Sequence, residues 1–416
     1  MNGVPRGGPF TVYGVWGVVM PIYHSLGSMP RKRHTVFRKP DGGIYAEELM
    51  GHEGFVGTSS LLYHVHPPTT VKSARRVKEI VWEADDDTSL RHRHFLTARA
   101  KKGGSPTLDR IPILFNHEIA MLYVEPDEQD AHFYRNSMAD EVAYVVEGTG
   151  VLESVFGDLP FRAGDYVIIH RNITHRWRLD LAAGPTKLLV FESRGHVRWP
   201  KRYRNEVGQL LEGAPYSERD IRRPAELRTH DEIGDFPILV KQYDQVNELM
   251  LDHHPFDVVG WDGYFYPWIF SIHDFEPIVG RIHQPPPVHQ TFQGDGFVIC
   301  SFCPRPYDFD PQAIPAPYNH SNVDSDEVLF YASSEFMSRK GIEYGSITHH
   351  PDGLPHGPHP GRAEASIGQK FTNELAVMMD SFRPLKVAKA ATSIEDPNYH
   401  RSWVEQQHAA FNPPTS

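Results

Sequence analysis

An internal repeat constrains the fold of this chain more than any other feature of its sequence. Residues 134–148 and 320–334 both place a Glu five residues after an Asn, at the head of an apolar run. Further along, residues 165–175 and 345–356 share a short run that ends in His and is followed by a second His. Because the two copies lie about 180–186 residues apart, we expect one fold unit to occur twice in the chain.

The composition and the spacing of the apolar runs favour β-structure. The 416 residues include 35 Pro and 33 Gly, a density typical of many short elements joined by turns. Runs rich in Val, Ile, Tyr and Phe alternate with turn residues, and this spacing predicts a sandwich or a barrel. The strands predicted in the first half are 111–115, 118–124, 141–147, 150–155, 165–169 and 187–192.

Charge and cysteine content exclude several classes of function. Lys and Arg number 42 against 53 Asp and Glu, and the net charge of −11 argues against nucleic acid or an anionic membrane as the main partner. Two Cys fit a reducing, cytoplasmic compartment. The apolar run 10–20 is too short to cross a bilayer and lacks the flanks of a secretory signal. Residues 1–19 are interpreted as a loose extension, with Met20 as an alternative start.

The spacing within each copy resembles the two motifs of cupin barrels, in which a His, a Glu and a later His face the barrel interior. The second half also resembles the homogentisate 1,2-dioxygenase family, which are two-cupin enzymes that cleave aromatic rings. This resemblance implies an all-β bicupin fold with two double-stranded β-helix (jelly-roll) barrels. It rests on short stretches in a fixed order, namely 44–49, 256–263, 317–322, 355–358 and 398–403.

The repeat and the resemblance together divide the chain into four segments. Residues 1–40 are an N-terminal extension and arm, and residues 41–215 are a cupin-like barrel that the resemblance leaves without a metal. Residues 216–255 are a linker, because charges crowd together from 196 to 236 in a pattern typical of a linker or a surface helix. Residues 256–416 are the second barrel, with the iron site and a C-terminal tail.

The resemblance assigns Fe(II) to the second barrel, with His320, Glu327 and His356 as ligands. Two imidazoles and one carboxylate on one face of an iron leave the opposite face open for dioxygen and substrate. Asp326 is the competing carboxylate, because it stands six residues after His320, which is the commoner spacing in the family. Glu327 is preferred because the first copy has Glu141 at the equivalent place.

The first copy is a poor ferrous site. Tyr134 stands where the second copy has its first His, in line with Glu141 and His175. We therefore expect these three side chains to occupy the same barrel positions as the three ligands of the second copy, and the first barrel to act as a scaffold.

The resemblance also implies two catalytic histidines. His283 falls where the family keeps a His that takes the proton of the substrate phenol, a transfer suited to a group with a pKa near neutrality. His289 is the nearby competitor for this role. His350 lies six residues before His356 and corresponds to a family His that donates a hydrogen bond to a ligand or to bound oxygen.

Two residues are candidates for substrate binding. Arg339, next to Lys340, could pair with the carboxylate of an aromatic acid. A Tyr that contacts substrate in the family falls near Phe336 of this chain, and Tyr344 is the candidate replacement.

Three other patterns resemble metal sites but receive a structural interpretation. Cys300 and Cys303 form a CxxC within a strand-like run, where two more ligands in register are missing, so we expect core thiols. His64-Val-His66 and His92-Arg-His94 have ligand spacing without a carboxylate at a useful distance. We interpret both pairs as loop residues.

The resemblance implies an Fe(II)-dependent dioxygenase that converts homogentisate and O2 to maleylacetoacetate in tyrosine and phenylalanine degradation. Its partners are a small aromatic acid and O2, and the family forms homo-oligomers, either trimers or hexamers. Two alternatives stay open. One is the same chemistry on another hydroquinone or aminophenol acid, such as gentisate, and the other is a two-cupin binding protein without turnover.

Overall fold

The structure is a computed structural model that describes residues 22–280, 286–333, 338–339 and 341–404. Within these ranges the chain is nearly all β, with one short α-helix and eight 3-10 turns. The predicted all-β bicupin architecture is confirmed. No helix in the described ranges is long and apolar enough to span a membrane.

The strands follow one another in short segments, as the density of turn residues predicts. In chain order they are β1 (His24–Gly27), β2 (Ala46–Gly51), β3 (Ser59–His64), β4 (Val71–Glu79), β5 (Arg93–Leu96), β6 (Ile111–Phe115), β7 (Ile119–Val124), β8 (Phe133–Asn136), β9 (Asp140–Glu147), β10 (Thr149–Ser154), β11 (Leu159–Arg162), β12 (Asp165–Ile169), β13 (His175–Leu179), β14 (Lys187–Ser193), β15 (Ile233–Gln242), β16 (Gln245–His253), β17 (Val258–Gly263), β18 (Trp268–Ser271), β19 (Gln290–Gly294), β20 (Phe297–Phe302), β21 (Arg305–Pro306), β22 (Asp326–Tyr331), β23 (Ser346–His350), β24 (Phe371–Thr372), β25 (Ala376–Ser381) and β26 (Lys386–Val387). The α-helix α1 is Arg362–Ser366, and the 3-10 turns are Glu53–Phe55, Thr97–Arg99, Lys201–Tyr203, Glu218–Asp220, Ile272–Asp274, Pro286–His289, Lys389–Ile394 and Tyr399–Arg401.

Two seven-stranded sheets build the first barrel. One sheet has the order β11-β10-β13-β8-β15-β16-β4, and the other has the order β18-β12-β9-β14-β7-β6-β26. The central strands β9 and β14 are buried along nearly their whole length, and their apolar side chains belong to one continuous hydrophobic core. Removing these side chains from water is the main force that holds the two sheets together.

A six-stranded sheet carries the second barrel, in the order β19-β20-β25-β22-β23-β5. Alternation along β22 gives this sheet two different faces. Val328 and Phe330 point into the large core shared with the first barrel, whereas Leu329 and Tyr331 pack in a separate small cluster. Glu327 lies on the face of Leu329 and Tyr331, and this face lines the interior of the second barrel.

The two halves of the chain exchange strands. Strand β5 comes from the first half but pairs with β23, and strand β26 comes from the C-terminal tail but pairs with β6. A further sheet, in the order β1-β17-β3-β2, joins the N-terminal arm to a strand of the second half. Each barrel is therefore completed by a segment that lies far away in the sequence.

The segment 216–255, predicted as a linker, is corrected by the structure. It contains the hairpin of β15 and β16, in which β15 pairs in parallel with β8 and β16 pairs with β4. The charged run before it forms two 3-10 turns, Lys201–Tyr203 and Glu218–Asp220, and not a surface helix. The hairpin was not predicted, because both strands are half-exposed and mix charged residues with apolar residues.

The predicted repeat appears in the pairing of the strands. Tyr134 of β8 lies opposite His175 of β13, and in the second copy His320 forms a β-bridge to His356. The two main-chain hydrogen bonds of that bridge measure 2.8 and 2.9 Å. The same cross-strand relation thus holds a Tyr–His pair in one barrel and a His–His pair in the other.

The two glutamates of the repeat also occupy equivalent positions in the pairing of their strands. Glu327 pairs with His350 on one side and with Asp380 on the other, and Glu141 pairs with Ile169 on the strand that corresponds to β23. The counterpart of His350 in the first copy is therefore Ile169. This residue comes one position before His170, which the sequence repeat aligns with His350. From Ile169 to His175 and from His350 to His356 the spacing is six residues, so this pairing also aligns the final His of each copy.

A guanidinium neutralises the inward carboxylate of the first barrel. Arg110 Nη1 donates to Glu141 Oε2 at 2.8 Å, and Asn136 Nδ2 donates to Glu141 Oε1 at 3.1 Å. Arg110 also approaches Glu192 at 3.5 Å. Both oxygens of Glu141 are thus engaged by side chains of the protein, which supports the interpretation of the first barrel as a scaffold.

A buried His–carboxylate network ties together the sheet that contains β2, β3 and β17. His64 Nδ1 donates to Asp257 Oδ1 at 2.7 Å, and His64 Nε2 lies 3.1 Å from Glu48 Oε2. Burial by itself would lower the pKa of His64, but the two carboxylates outweigh it and raise this pKa to about 9. The prediction of a loop residue at His64 is wrong, because the residue lies at the end of β3.

We predict that His64 makes the free energy of unfolding depend on pH between about 6.5 and about 9. The folded-state pKa is raised above the ordinary value of 6.5, so the stabilisation is complete below 6.5 and is lost as the pH rises through 9. The shift corresponds to on the order of 3 kcal/mol. Urea denaturation at pH 6.5 and 9.5 should show this loss in the wild type and little change in His64→Gln. An equal pH dependence in both proteins would contradict the assignment.

Candidate metal centre

Three side chains of the second barrel converge on one point. His320, Glu327 and His356 each place one possible ligand atom within 4.8 Å of the others. The Nε2 of His320 lies 3.5 Å from Glu327 Oε2, and the Nε2 of His356 lies 3.2 Å from Glu327 Oε1. Small side-chain movements would let one ion replace these direct contacts. The structure therefore brings together the three residues that the sequence assigned as ligands.

Local backbone structure explains why these side chains meet. The β-bridge between His320 and His356 holds the two imidazoles side by side, with their ring centroids 4.2 Å apart. The Nδ1 of His320 donates to the carbonyl oxygen of Tyr318 at 3.1 Å, which leaves Nε2 as the nitrogen that faces Glu327. Such a hydrogen bond on the second nitrogen is the usual way in which a ligating His is oriented.

Asp326, the competing carboxylate, points to the opposite face of β22. Its side chain accepts hydrogen bonds from His349 Nε2 at 2.9 Å and from the backbone amides of Asp352 and Leu385 at 2.9 and 2.8 Å. These bonds fix the hairpin between β22 and β23 and the chain that follows β25. Asp326 thus has a structural environment, and Glu327 is the carboxylate directed toward the two histidines.

The electrostatics of the cluster suit metal binding. Burial would raise the pKa of the Glu327 carboxyl, but hydrogen bonds from His320, His350 and His356 outweigh it and hold this pKa well below its usual range. Burial and the nearby Arg339 keep the pKa of His350 well below its usual range. An ionised carboxylate beside imidazoles that can lose their protons is the state in which these groups bind a metal.

His350 lies directly behind the three converging residues. Its Nδ1 donates to Glu327 Oε1 at 3.1 Å, and its ring stacks on that of His356 with centroids 4.5 Å apart. Its Nε2 is buried and has no hydrogen-bond partner among the described residues. The side chain therefore orients Glu327 and keeps one nitrogen available for a further polar group.

Two residues that lie near the cluster were not predicted from the sequence as part of the site. His92 is a loop residue, as interpreted, just before β5, and its ring lies 5.3 Å from that of His350 and 6.0 Å from that of His356. Asp380 lies on the same rung as Glu327, and burial together with the Glu327 charge raises its pKa to about 8. Neither carries a local signal, because both reach the site through strand pairing over long sequence distances.

A cavity opens onto the cluster. His320 and Glu327 form part of its wall, and most of the remaining wall is apolar. Its principal apolar residues are Phe302, Ile314, Pro315, Pro317, Leu329 and Met378. The cavity therefore offers a flat aromatic ring an apolar surface beside the candidate ligands.

Arg339 and His289 face the same cavity. Arg339 is buried, its guanidinium lies 5.3 Å from the ring of Trp403, and its Nη1 donates to the carbonyl oxygen of Gly357. His289 is 1% exposed, and its Nδ1 has no hydrogen-bond partner among the described residues. Burial, reinforced by the charge of Arg305, lowers the pKa of His289 to about 3, so its imidazole is neutral near pH 7.

The remaining predicted site residues lie elsewhere. Tyr344 does not line the cavity; its hydroxyl donates to Glu147 Oε1 at 2.6 Å, beside Lys187, so its prediction as a substrate-binding residue is corrected. His283, Phe336 and Lys340 lie outside the described residues. Both thiols of the CxxC motif, Cys300 and Cys303, are buried and free, as expected of core cysteines.

Comparison with known proteins places these features in a family. A family model described as a cupin domain matches residues 120–192, within the first barrel. A protein of Saccharolobus solfataricus named "Putative dioxygenase" is 42% identical over 387 residues, which cover 92% of this chain and 99% of the relative.

More distant proteins also match this chain. Homogentisate 1,2-dioxygenase of Rhodopseudomonas palustris is 24% identical over 417 residues, covering 91% of this chain and 90% of the relative. A solved structure, the cupin 2 conserved barrel domain protein from Leptotrichia buccalis, matches with 10% identity and a TM-score of 0.31, covering 74% of this chain and 100% of that chain. The identity and coverage of the Saccharolobus protein show that this chain belongs to the same family of cupin dioxygenases, in which the homogentisate 1,2-dioxygenases are more distant members.

Proposed function

We propose that this protein is an Fe(II)-dependent ring-cleaving dioxygenase that acts on a small aromatic acid, with homogentisate and O2 as substrates and maleylacetoacetate as product. The observation that carries the proposal is the convergence of His320, Glu327 and His356 on a cavity with an apolar wall and a buried arginine. The similarity to homogentisate 1,2-dioxygenases supports the choice of substrate. A cytoplasmic location and a homo-oligomeric assembly stay predictions.

The donor set fits ferrous iron. Two imidazoles and one carboxylate on one side of an ion leave coordination positions open, which is typical of non-haem Fe(II) oxygenases. The Nε2 of His356, which is buried without a hydrogen-bond partner among the described residues, and the ionised Glu327 favour a cation at this place. When bound, Fe(II) supplies a coordination position for the ring hydroxyl and electron density for the reduction of dioxygen.

The cavity wall would bind and orient the substrate. Phe302, Leu329 and Met378 would pack against the aromatic ring and exclude water from the reacting carbon. Arg339 would pair with the carboxylate, because a guanidinium buried in the same cavity is the natural partner for that group. A substrate held at both ends would present one face of its ring to the ligand cluster.

A histidine would take the proton of the ring hydroxyl, since the phenolate is a better electron donor than the neutral phenol. His283 is the candidate from the family resemblance. His289 is supported by its position in the cavity wall and by its orphan nitrogen, and its neutral imidazole offers a lone pair to the phenol. The two candidates can be separated by mutation.

We predict that Glu327→Gln lowers the bound iron to background after anaerobic loading with Fe(II), because the variant loses the carboxylate that contacts both histidines. Asp326→Asn is the matched control from the opposite face of the same strand. It should keep iron while losing stability, because its bonds to His349 and the backbone are weakened. Elemental analysis and denaturation curves measure the two effects. Iron loss in Asp326→Asn without iron loss in Glu327→Gln would exchange the roles of the carboxylates.

We predict that iron-loaded protein consumes O2 with homogentisate and that His320→Ala abolishes both the iron content and the uptake. An oxygen electrode would compare homogentisate, gentisate and 3-hydroxyanthranilate in parallel. Uptake with gentisate alone would keep the chemistry but replace the substrate. Full iron loading with no uptake on any of the three would favour a binding protein without turnover.

We predict that replacing the catalytic base lowers turnover about 10²–10⁴-fold while iron and substrate binding remain, which is the usual contribution of one general base. His289→Asn and His283→Asn should be compared at equal iron content. Raising the pH should partly restore the impaired variant, because the phenol then ionises in solution. If both variants turn over at the wild-type rate, the proton acceptor lies elsewhere and His350 becomes the first candidate.

A further inference from the structure

A second convergence of possible ligands lies on the outer face of the first barrel. His52, Asp140 and His196 each place one nitrogen or oxygen within 4.8 Å of the others. Asp140 immediately precedes Glu141 on β9, so its side chain points away from the barrel interior. His52 follows β2, and His196 follows β14. Three separate parts of the chain therefore meet at this point.

The two imidazoles have nitrogens that no other group in the described structure satisfies. His52 is 4% exposed, and its Nε2 has no hydrogen-bond partner, whereas its Nδ1 lies 3.3 Å from the hydroxyl of Thr58. His196 Nδ1 is also buried without a hydrogen bond and lies 3.7 Å from Asp140 Oδ1. An unsatisfied buried nitrogen costs free energy unless a ligand completes it.

Asp140 is oriented by a chain of hydrogen bonds. Trp268 Nε1 donates to His170 Nε2 at 3.2 Å, so His170 Nδ1 carries a hydrogen and donates to Asp140 Oδ2 at 2.8 Å. The amide of Val197 also donates to Oδ2, at 3.1 Å. Such outer contacts hold a ligating carboxylate in place and are typical of built metal sites.

The charged groups around the cluster limit which ion fits. Asp140 is its carboxylate. Its Oδ1 accepts hydrogen bonds from the amide of Arg171 at 3.0 Å and from Arg171 Nε at 3.3 Å, so an ion that binds Oδ1 would displace the guanidinium. Hard cations such as Ca²⁺ prefer several oxygen ligands, which this set lacks. Two imidazoles and one carboxylate match first-row transition metals such as Zn²⁺ or Co²⁺.

We propose that His52, Asp140 and His196 form a second metal site, which binds a divalent first-row transition metal and is independent of the cluster in the second barrel. The ion reaches it through a surface cavity that His52 and His196 line together with Glu53, Asn172, Phe265 and the basic residues Arg135 and Arg171. Water completes the coordination on the cavity side. The bound ion links the loop after β2 to β9 and to the chain after β14.

The test uses Co²⁺ titration of a His320→Ala/His356→Ala variant, in which the first cluster is removed. We expect this protein to bind one Co²⁺ per chain, seen as visible d–d absorption, and to gain thermal stability as Co²⁺ is added. Adding His196→Ala should weaken Co²⁺ binding at least about 100-fold, because a direct ligand is lost. Circular dichroism verifies that each variant is folded.

A matched control comes from another pair of histidines whose rings stack, as those of His52 and His196 do. The rings of His230 and His254 lie 3.9 Å apart at 15°, but this pair is not part of a three-ligand group in the described chain. Adding His230→Ala to the double variant should therefore leave Co²⁺ binding unchanged. A folded double variant that binds no Co²⁺, or one whose binding survives His196→Ala, would overturn the proposal. If the double variant does not fold, the number of Co²⁺ ions bound per chain is compared between the wild type and His196→Ala. A difference of one ion supports the site, and equal numbers refute it.

Discussion

The two-residue period of a β-strand is the constraint on which both ligand clusters depend. Successive side chains point to opposite faces, so the neighbours Asp326 and Glu327 cannot serve the same site. Glu327 turns into the barrel, and Asp326 turns outward to hold backbone amides. Asp140 and Glu141 divide in the same way in the first copy. An Asp-Glu pair at the start of a cupin strand thus places one carboxylate on each face of the sheet.

The inward carboxylate of each copy requires a cation, because an unpaired charge inside a barrel is costly. In the first barrel Arg110 supplies that charge from the protein itself. In the second barrel Glu327 faces imidazoles, which are neutral ligands when a metal binds. The difference between a scaffold barrel and a candidate metal centre therefore follows from which cation stands opposite the same glutamate.

The buried strands between 111 and 193 could be predicted from sequence, because fully buried strands are continuous apolar runs bounded by turn residues. The ligand trio could be proposed because His320, Glu327 and His356 stand at the spacing of the motifs that the family resemblance supplied. The hairpin 233–253 could not, since its half-exposed strands mix charged and apolar residues. Tyr344 was misplaced because its partner Glu147 lies 197 residues away, and no local pattern encodes such a contact.

The exchange of β5 and β26 between the halves determines how this duplicated gene can evolve. Each strand completes a sheet that belongs mostly to the other copy. A chain cut between the copies would leave each product with an open sheet edge, which pairs readily with other molecules. A single barrel released by recombination would therefore aggregate rather than persist as a smaller protein. The two copies have lost their independence, and they can diverge in chemistry only as parts of one inherited unit.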